Sequence, residues 1–299
     1  MVSGQNDSEN AVFSLRHLFS RLKALFSAGK GRPVAALILL WALSASLLSE
    51  AELSPAWSDS WPGKVADMVA RPFKTGRQLL FDGYQRTFPR QPKSQPVTVV
   101  AIDEKSLAEI GQWPWPRNRL AALLDVIGQA GSLVVGLDMY MPEADQTSPA
   151  RVAANLPREQ AELARALARL PSHDTQLAAA LRRTPSVLGA AGFDFSTHST
   201  TRGLHTTPLV IHGDDPLPWL RHYPYVLASL PELQSAVPGR QALLTISRLD
   251  GGVVRRVPLV LATNQQPVPG LVLEMLRVAS NSSAIEVEVG RLGIEAVQV

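Results

Sequence analysis

The sequence predicts a mixed α/β (α+β) fold: a partly parallel sheet with a βαβ unit, plus a C-terminal hairpin and strands, preceded by one transmembrane helix. Three observations predict it. Continuous β-branched runs alternate with helix-like segments between residues 97 and 194, the last sixty residues change to short strand-like runs with tight-turn signals, and Val34 to Ser49 carries no charge. With 299 residues, 45% of them hydrophobic and 18% charged, the chain can bury one large or two small cores.

The first segment, residues 1–32, contains "VFSLRHLFSRLKALF", in which Val12, Leu15, Phe19, Leu22 and Phe26 recur at spacings of three and four. That periodicity predicts an amphipathic helix whose basic face lies on an anionic cytoplasmic leaflet or packs on a cytoplasmic partner. Residues 33–49 follow as the anchor, short against the roughly 20 residues a span needs but extended by its flanks. Arg16, Arg21, Lys23, Lys30 and Arg32 precede the anchor, while Glu50, Glu52 and Asp59 follow it. The positive-inside rule therefore keeps the N-terminus in the cytoplasm and exports everything after about Glu50, to the periplasm or beyond it. A cleaved signal peptide is the rival, but the charged leader is long and "ASLLSEAE" is a poor small-residue cleavage site.

Residues 50–95 read as a stalk, punctuated by Pro55, Pro62, Pro72, Pro89 and Pro92, with "KTGRQLLFDGYQRTF" helical. From 96 to 299 the chain reads as a sensor-sized domain. "VTVVAID" is a strand covered on both faces, "EKSLAEIG" starts a helix, and a second helix runs from "WPWPR" to Gly131 as C-cap. "SLVVGLD" is the next strand, which makes a parallel, right-handed βαβ unit. Met141 to Pro171 is an insertion, loop-like in "MPEADQTSPARVAANLP" and helical in "REQAELARALARL". "DTQLAAALRRT" is a helix ended by Pro185 ahead of the strand "SVLGAAGFD". "QALLTISRLD", "GVVRRVPLVLATN", "PVPGLVLEMLRVAS", "AIEVEVG" and "RLGIEAVQV" read as strand, strand, helix, strand, strand, with "DGG" at 250–252 closing a hairpin. The "GLVLEM" stripe reads as core.

Chemistry is sparse. The chain has no cysteine, which excludes disulfides, thiolate metal sites and a thiol nucleophile and suits an oxidising compartment. A net charge of +3 without a dense Lys/Arg run argues against nucleic acid. There is neither a serine elbow nor a glycine-rich phosphate loop. His198, His205 and His212 are seven apart, followed by Asp214 and Asp215. Gly203 and Pro208 forbid the helix that would align them, so no metal or other cofactor is expected.

Three strand-like runs end in aspartate, at Asp103, Asp138 and Asp194. Ligands of open parallel sheets bind beyond the carboxyl ends of the strands, so these side chains are candidates to converge on one ligand site. The alternative for Asp103 is to cap its helix, and for Asp138 to accept amides of the next turn. Trp113 and Trp115, each fixed by a following proline, either clamp helix to sheet or form an aromatic wall of a ligand pocket or homodimer face, with Arg117 as counter-ion.

"VTVVAIDEKSLAEIGQWPWPRNRLAALLDVI", "GLDMYMPEAD", "DGGVVRRVPLVL" and "PGLVLEMLR" together resemble the CHASE sensor domain of the second type, over roughly Leu79 to the end. The resemblance implies the extracytoplasmic, non-enzymatic input region of a bacterial membrane receptor, with an N-terminal anchor. It also implies further spans and a cyclase, kinase, or diguanylate cyclase or phosphodiesterase module after the sensor. The sequence departs from that pattern in a longer insertion around 142–170 and in stopping at Val299 while exported, so a sensor incomplete at its C-terminus is expected. The expected partners are the membrane and a small-molecule ligand that neither residues nor resemblance identify, and signalling is expected by population shift. A membrane-anchored metal-dependent hydrolase using the three aspartates and a ligand-free envelope interaction protein are the competing classes.

Overall fold

The computed structural model describes residues 32–50, 60–89, 91, 94, 96–244, 254 and 256–299. The amphipathic segment at 12–26 and the turn at 250–252 lie outside them. The chain divides into two units, residues 1–97 and 98–299.

In the first unit, α1 (Arg32–Glu50) covers the expected anchor, and Leu37, Ile38, Leu39, Leu40, Trp41 and Leu43 are exposed on it. Among the described residues no helix is long and apolar enough to cross a membrane. The stalk departs from expectation: α2 (Trp61–Thr87) is one 27-residue helix, not a proline-broken segment with a helix from Lys74. Pro62 sits in its first turn, where the missing N–H has no intrahelical partner to lose, and the Ser60 side chain caps it by accepting from the Gly63 amide at 3.2 Å. Pro72 stands inside the helix, which forgoes one backbone bond there. Trp41 meets Phe73 edge-on at 5.3 Å, so α1 and α2 pack together.

Among its described residues the second unit is mixed α/β with three small sheets. Its helices are α3 (Glu104–Ile110), α4 (Arg117–Gln129), α5 (Pro149–Ala154), α6 (Ala161–Ala168), α7 (His173–Arg183), α8 (Pro231–Ala236) and α9 (Leu271–Ala279). The principal sheet holds β1 (Val135–Leu137), β2 (Ser186–Phe193), β5 (Tyr225–Leu227) and β6 (Gln241–Leu244). β1 and β6 run parallel to β2 and β5 antiparallel. Leu188 has both Leu137 and Gln241 as partners, so β1 and β6 occupy opposite edges of β2. Helices cover both faces. Leu137 and Leu188 point into a core with Leu120, Leu124, Leu177 and Leu181 of α4 and α7. The neighbouring Gly136 faces the other way, where an added Cβ would lie 2.2 Å from the Met275 sulfur of α9. A strand covered on both faces reads as a continuous apolar run, which explains why these two strands were legible.

The remaining strands are β3 (Leu209–Gly213), β4 (His222–Tyr223), β7 (Val260–Thr263), β8 (Gln266–Pro269), β9 (Ile285–Gly290) and β10 (Gly293–Gln298). They form the sheets β10-β9-β3 and β4-β7-β8. β9 alternates buried and exposed residues, as a strand with one wet face should.

Three expectations are corrected. "VTVVAID" is not a strand: Val97, Val99 and Val100 are 68%, 83% and 56% exposed, and no described strand pairs with them. The parallel pair is instead β1 and β2, with α7 in the crossover, because β-branched composition favours a pleated surface without supplying a neighbour to pair with. The insertion holds a short helix, α5, where a loop was expected. The hairpin predicted across 250–252 is not formed by its described arms, since β6 lies parallel to β2 while β7 has β8 on one edge and β4 on the other. The tight turn is Asn264-Gln265, with φ of +48° and +58°, joining β7 to β8. Two left-handed residues give the twist a two-residue hairpin requires.

Candidate functional site

Gly111, at φ +111°, ends α3 and lets the chain turn into Trp113-Pro114-Trp115-Pro116, with a cis peptide at Trp113-Pro114. Trp115 is 8% exposed and joins the core of α4 and α7, while its indole N–H donates to the Gly111 carbonyl at 2.7 Å. Trp113 is 41% exposed and meets Trp115 edge-on at 5.9 Å. The two rings thus divide the roles: Trp115 is a clamp and Trp113 is its outer cover.

Arg117 opens α4 and draws the insertion onto it. Its guanidinium donates to the Asp174 carboxylate of α7 and to the Glu143 carbonyl, and its amide donates to Asp145 Oδ2 at 2.7 Å. Asp145 Oδ1 accepts from the Thr147 amide at 2.8 Å and hydroxyl at 2.7 Å, and Asp145 Oδ2 lies 3.2 Å from His173 Nδ1. Asp174 Oδ2 accepts from the Asp145 amide at 3.1 Å. The carboxylates of Asp145 and Asp174 are almost closed from water. Burial pushes the Asp145 carboxyl up, but the Arg117 amide, Thr147 and His173 outweigh it and hold the group below the usual carboxylate range. A carboxylate depressed on folding contributes stability that is complete above its ordinary value near 3.8 and is lost as pH falls through the lower folded value. Urea unfolding between pH 5 and pH 3 should therefore show a loss on acidification that Asp145→Asn reduces; an unchanged slope in that variant would count against the network.

The three aspartates do not meet. Asp103 caps α3, its Oδ1 accepting from the Ser106 amide at 2.9 Å and hydroxyl at 2.7 Å, and these bonds, the hydroxyl's first, hold it below the ordinary carboxylate range. Asp138 follows β1 and is exposed, with no hydrogen bond or ion pair among the described residues. Asp194 follows β2 and pairs with Arg221 at 2.9 Å. Asp138 is level with Gly189 in the β1–β2 register, and β2 runs on past that point to Asp194. At about 3.3 Å per residue the two stand roughly 17 Å apart along the strands. Arg117 is the counter-ion of Asp174, not of Asp103 or Asp138. Among the described residues no group of three or more His, Cys, Asp or Glu is placed to hold a metal ion. His212 instead lies 3.5 Å from Glu286 across β3 and β9.

A cleft of about 760 Å³ lies elsewhere, bounded by the 201–205 loop, α8, the start of β6 and the β7–β8 turn. Arg202, His205, Gln234, Gln241, Asn264 and Gln266 supply its polar wall. Sequence reasoning missed both this wall and the Asp145–His173–Asp174 knot. Their residues come from separate loops and helix ends with no shared period, so only "SHD" after Pro171, a helix start with Ser172 as cap, carried a local signal.

The model of one protein family, the CHASE2 domain, matches residues 34–298. No curated protein and no solved structure matches the chain.

Proposed function

The chain belongs to the CHASE2 domain family, a family of sensory domains of signalling receptors, and from that premise we propose that it is the extracytoplasmic, non-enzymatic input region of a bacterial membrane receptor. The observation that carries the reading is the match over 34–298, which takes in both units rather than one strand-helix motif. The proposed anchor is the uncharged stretch Val34 to Ser49, read from the sequence, which lies between basic residues and Glu50. Its exposed Leu37, Ile38, Leu39, Leu40 and Leu43 support a lipid environment, since a contiguous apolar surface of this kind is not left in water. The ligand shifts the packing of residues 98–299, and α2 and α1 carry that shift to an output module outside these residues.

Two measurements test this. Alkaline phosphatase fused after Val299 should be active, and a reporter that needs the cytoplasm inactive; the reverse pattern rejects the orientation. In the complete receptor, deleting residues 98–299 should leave an output that no longer varies with the medium, and a deletion that still responds would end the sensory reading.

A further inference from the structure

We infer that the cleft between the 201–205 loop, α8 and the β7–β8 turn binds a small hydroxylated organic acid, with Arg202 as the partner of its carboxylate. The inference rests on the sensory reading, which requires a ligand, and gives that ligand a site and a chemistry. A volume of about 760 Å³ suits a small molecule. Among the described residues the wall contains no aspartate or glutamate, so its single guanidinium faces no competing anion among them. Among the described residues Arg202 makes no hydrogen bond or ion pair. A planar guanidinium in that state matches a carboxylate with two parallel bonds.

The backbone around Arg202 is fixed before any ligand arrives. Thr201 exchanges both its backbone bonds with Val226, each 2.9 Å. Thr207 donates to the Gly239 carbonyl at 2.9 Å, so the loop is pinned at both ends. Gly203, at φ +86°, turns the chain immediately after Arg202 and brings it against Asn264, whose Cβ would lie 3.6 Å from an added Cβ. With the backbone fixed, the ordering left to binding is chiefly that of the exposed Arg202 side chain.

The rest of the wall selects hydroxyl groups. Gln241 is buried and donates to Gln234 Oε1 at 3.3 Å, and Gln234 donates in turn to the Ser229 carbonyl, which orients both amides. An amide has two N–H donors and one acceptor, so among the described residues Gln241 has one donor and its carbonyl beyond the bond to Gln234. Asn264 and Gln266 add two more amides across the cleft. Amides that both donate and accept fit hydroxyls, which do the same. One guanidinium, with His205 as the wall's other basic side chain, can pair with one planar carboxylate through two parallel bonds.

The test is thermal unfolding of the full chain in detergent against galacturonate, gluconate and tartrate, with galactose as the uncharged counterpart and inorganic phosphate as the competing anion. At least one of the three acids should raise Tm in a saturable manner, while galactose and phosphate do not. Arg202→Ala should melt as the unaltered chain does without ligand, yet bind that acid about tenfold more weakly or worse, the loss expected for a charge-assisted bond. Gln266→Glu, at the exposed first residue of β8, should weaken the same acid by placing a carboxylate in the wall, and serves if Arg202→Ala alters folding. The inference is overturned if none of the acids raises Tm, if galactose or phosphate does so equally, or if both variants bind the acid as the unaltered chain does. Binding to the purified chain is independent of the receptor deletion above, so failure of the site and failure of the sensory reading are separate results.

Discussion

Arg277→Ala is expected to cost about 3–5 kcal/mol of folding stability, because it leaves a buried carboxylate without its partner. Glu274 is fully buried on α9, and Arg277, one turn on, is nearly so. The guanidinium donates to both carboxylate oxygens, at 2.9 and 2.5 Å, and to the Ser282 carbonyl at 2.8 Å. Burial pushes the Glu274 carboxyl up, opposed by the hydrogen bonds and charge of Arg277 and by the charge of Arg240. With Arg277 removed, the opposing interactions shrink and the carboxyl should take a proton more readily on folding. A group whose pKa rises on folding stabilises most at low pH, so the deficit of Arg277→Ala should narrow as pH falls. Replacing both partners, Glu274→Leu with Arg277→Met, should cost much less than the single change, since no buried carboxylate is left without its guanidinium. Urea unfolding of the three proteins reads this. A single variant within about 1 kcal/mol of the unaltered chain, the value of an exposed pair, would mean water reaches the carboxylate.

The second large effect separates two adjacent tryptophans. Trp115→Ala should cost about 3–5 kcal/mol, as expected when a buried aromatic ring is emptied from a core that cannot collapse around it. Trp113→Ala should cost about 1 kcal/mol, the worth of an edge-on aromatic contact at a partly exposed ring. Trp115→Phe keeps most of the packing and forfeits the bond to the Gly111 carbonyl, a further loss of about 1 kcal/mol. Chemical denaturation of the three variants decides the matter, and equal losses at both positions would reject the division into clamp and cover.

The sequence by itself determined the elements whose signal is local. β2 is a continuous apolar run bounded by Pro185, and α7 begins at Ser172 as a capping residue. β9 alternates in burial as it does in polarity, and Gly131, at φ +87°, sits where α4 ends. In each case the pattern that makes the element also appears in consecutive residues. The motif around "WPWPR" carried the family in the same way, being contiguous.

Tertiary structure decided what depends on a partner distant in the chain. Residues 97–101 have the composition of a strand and no described strand beside them, because a ladder needs a neighbour's amides and carbonyls, which composition cannot provide. The three aspartates share a position at the ends of runs, yet one caps a helix and the other two are held apart by the unequal lengths of β1 and β2. Arg117 finds Asp174 across 57 residues because α4 and α7 pack on one face of the sheet. The cleft at Arg202 likewise gathers a loop, a helix and a hairpin turn that no spacing connects, since a cavity is defined by surfaces meeting in space rather than by residues adjacent along the chain.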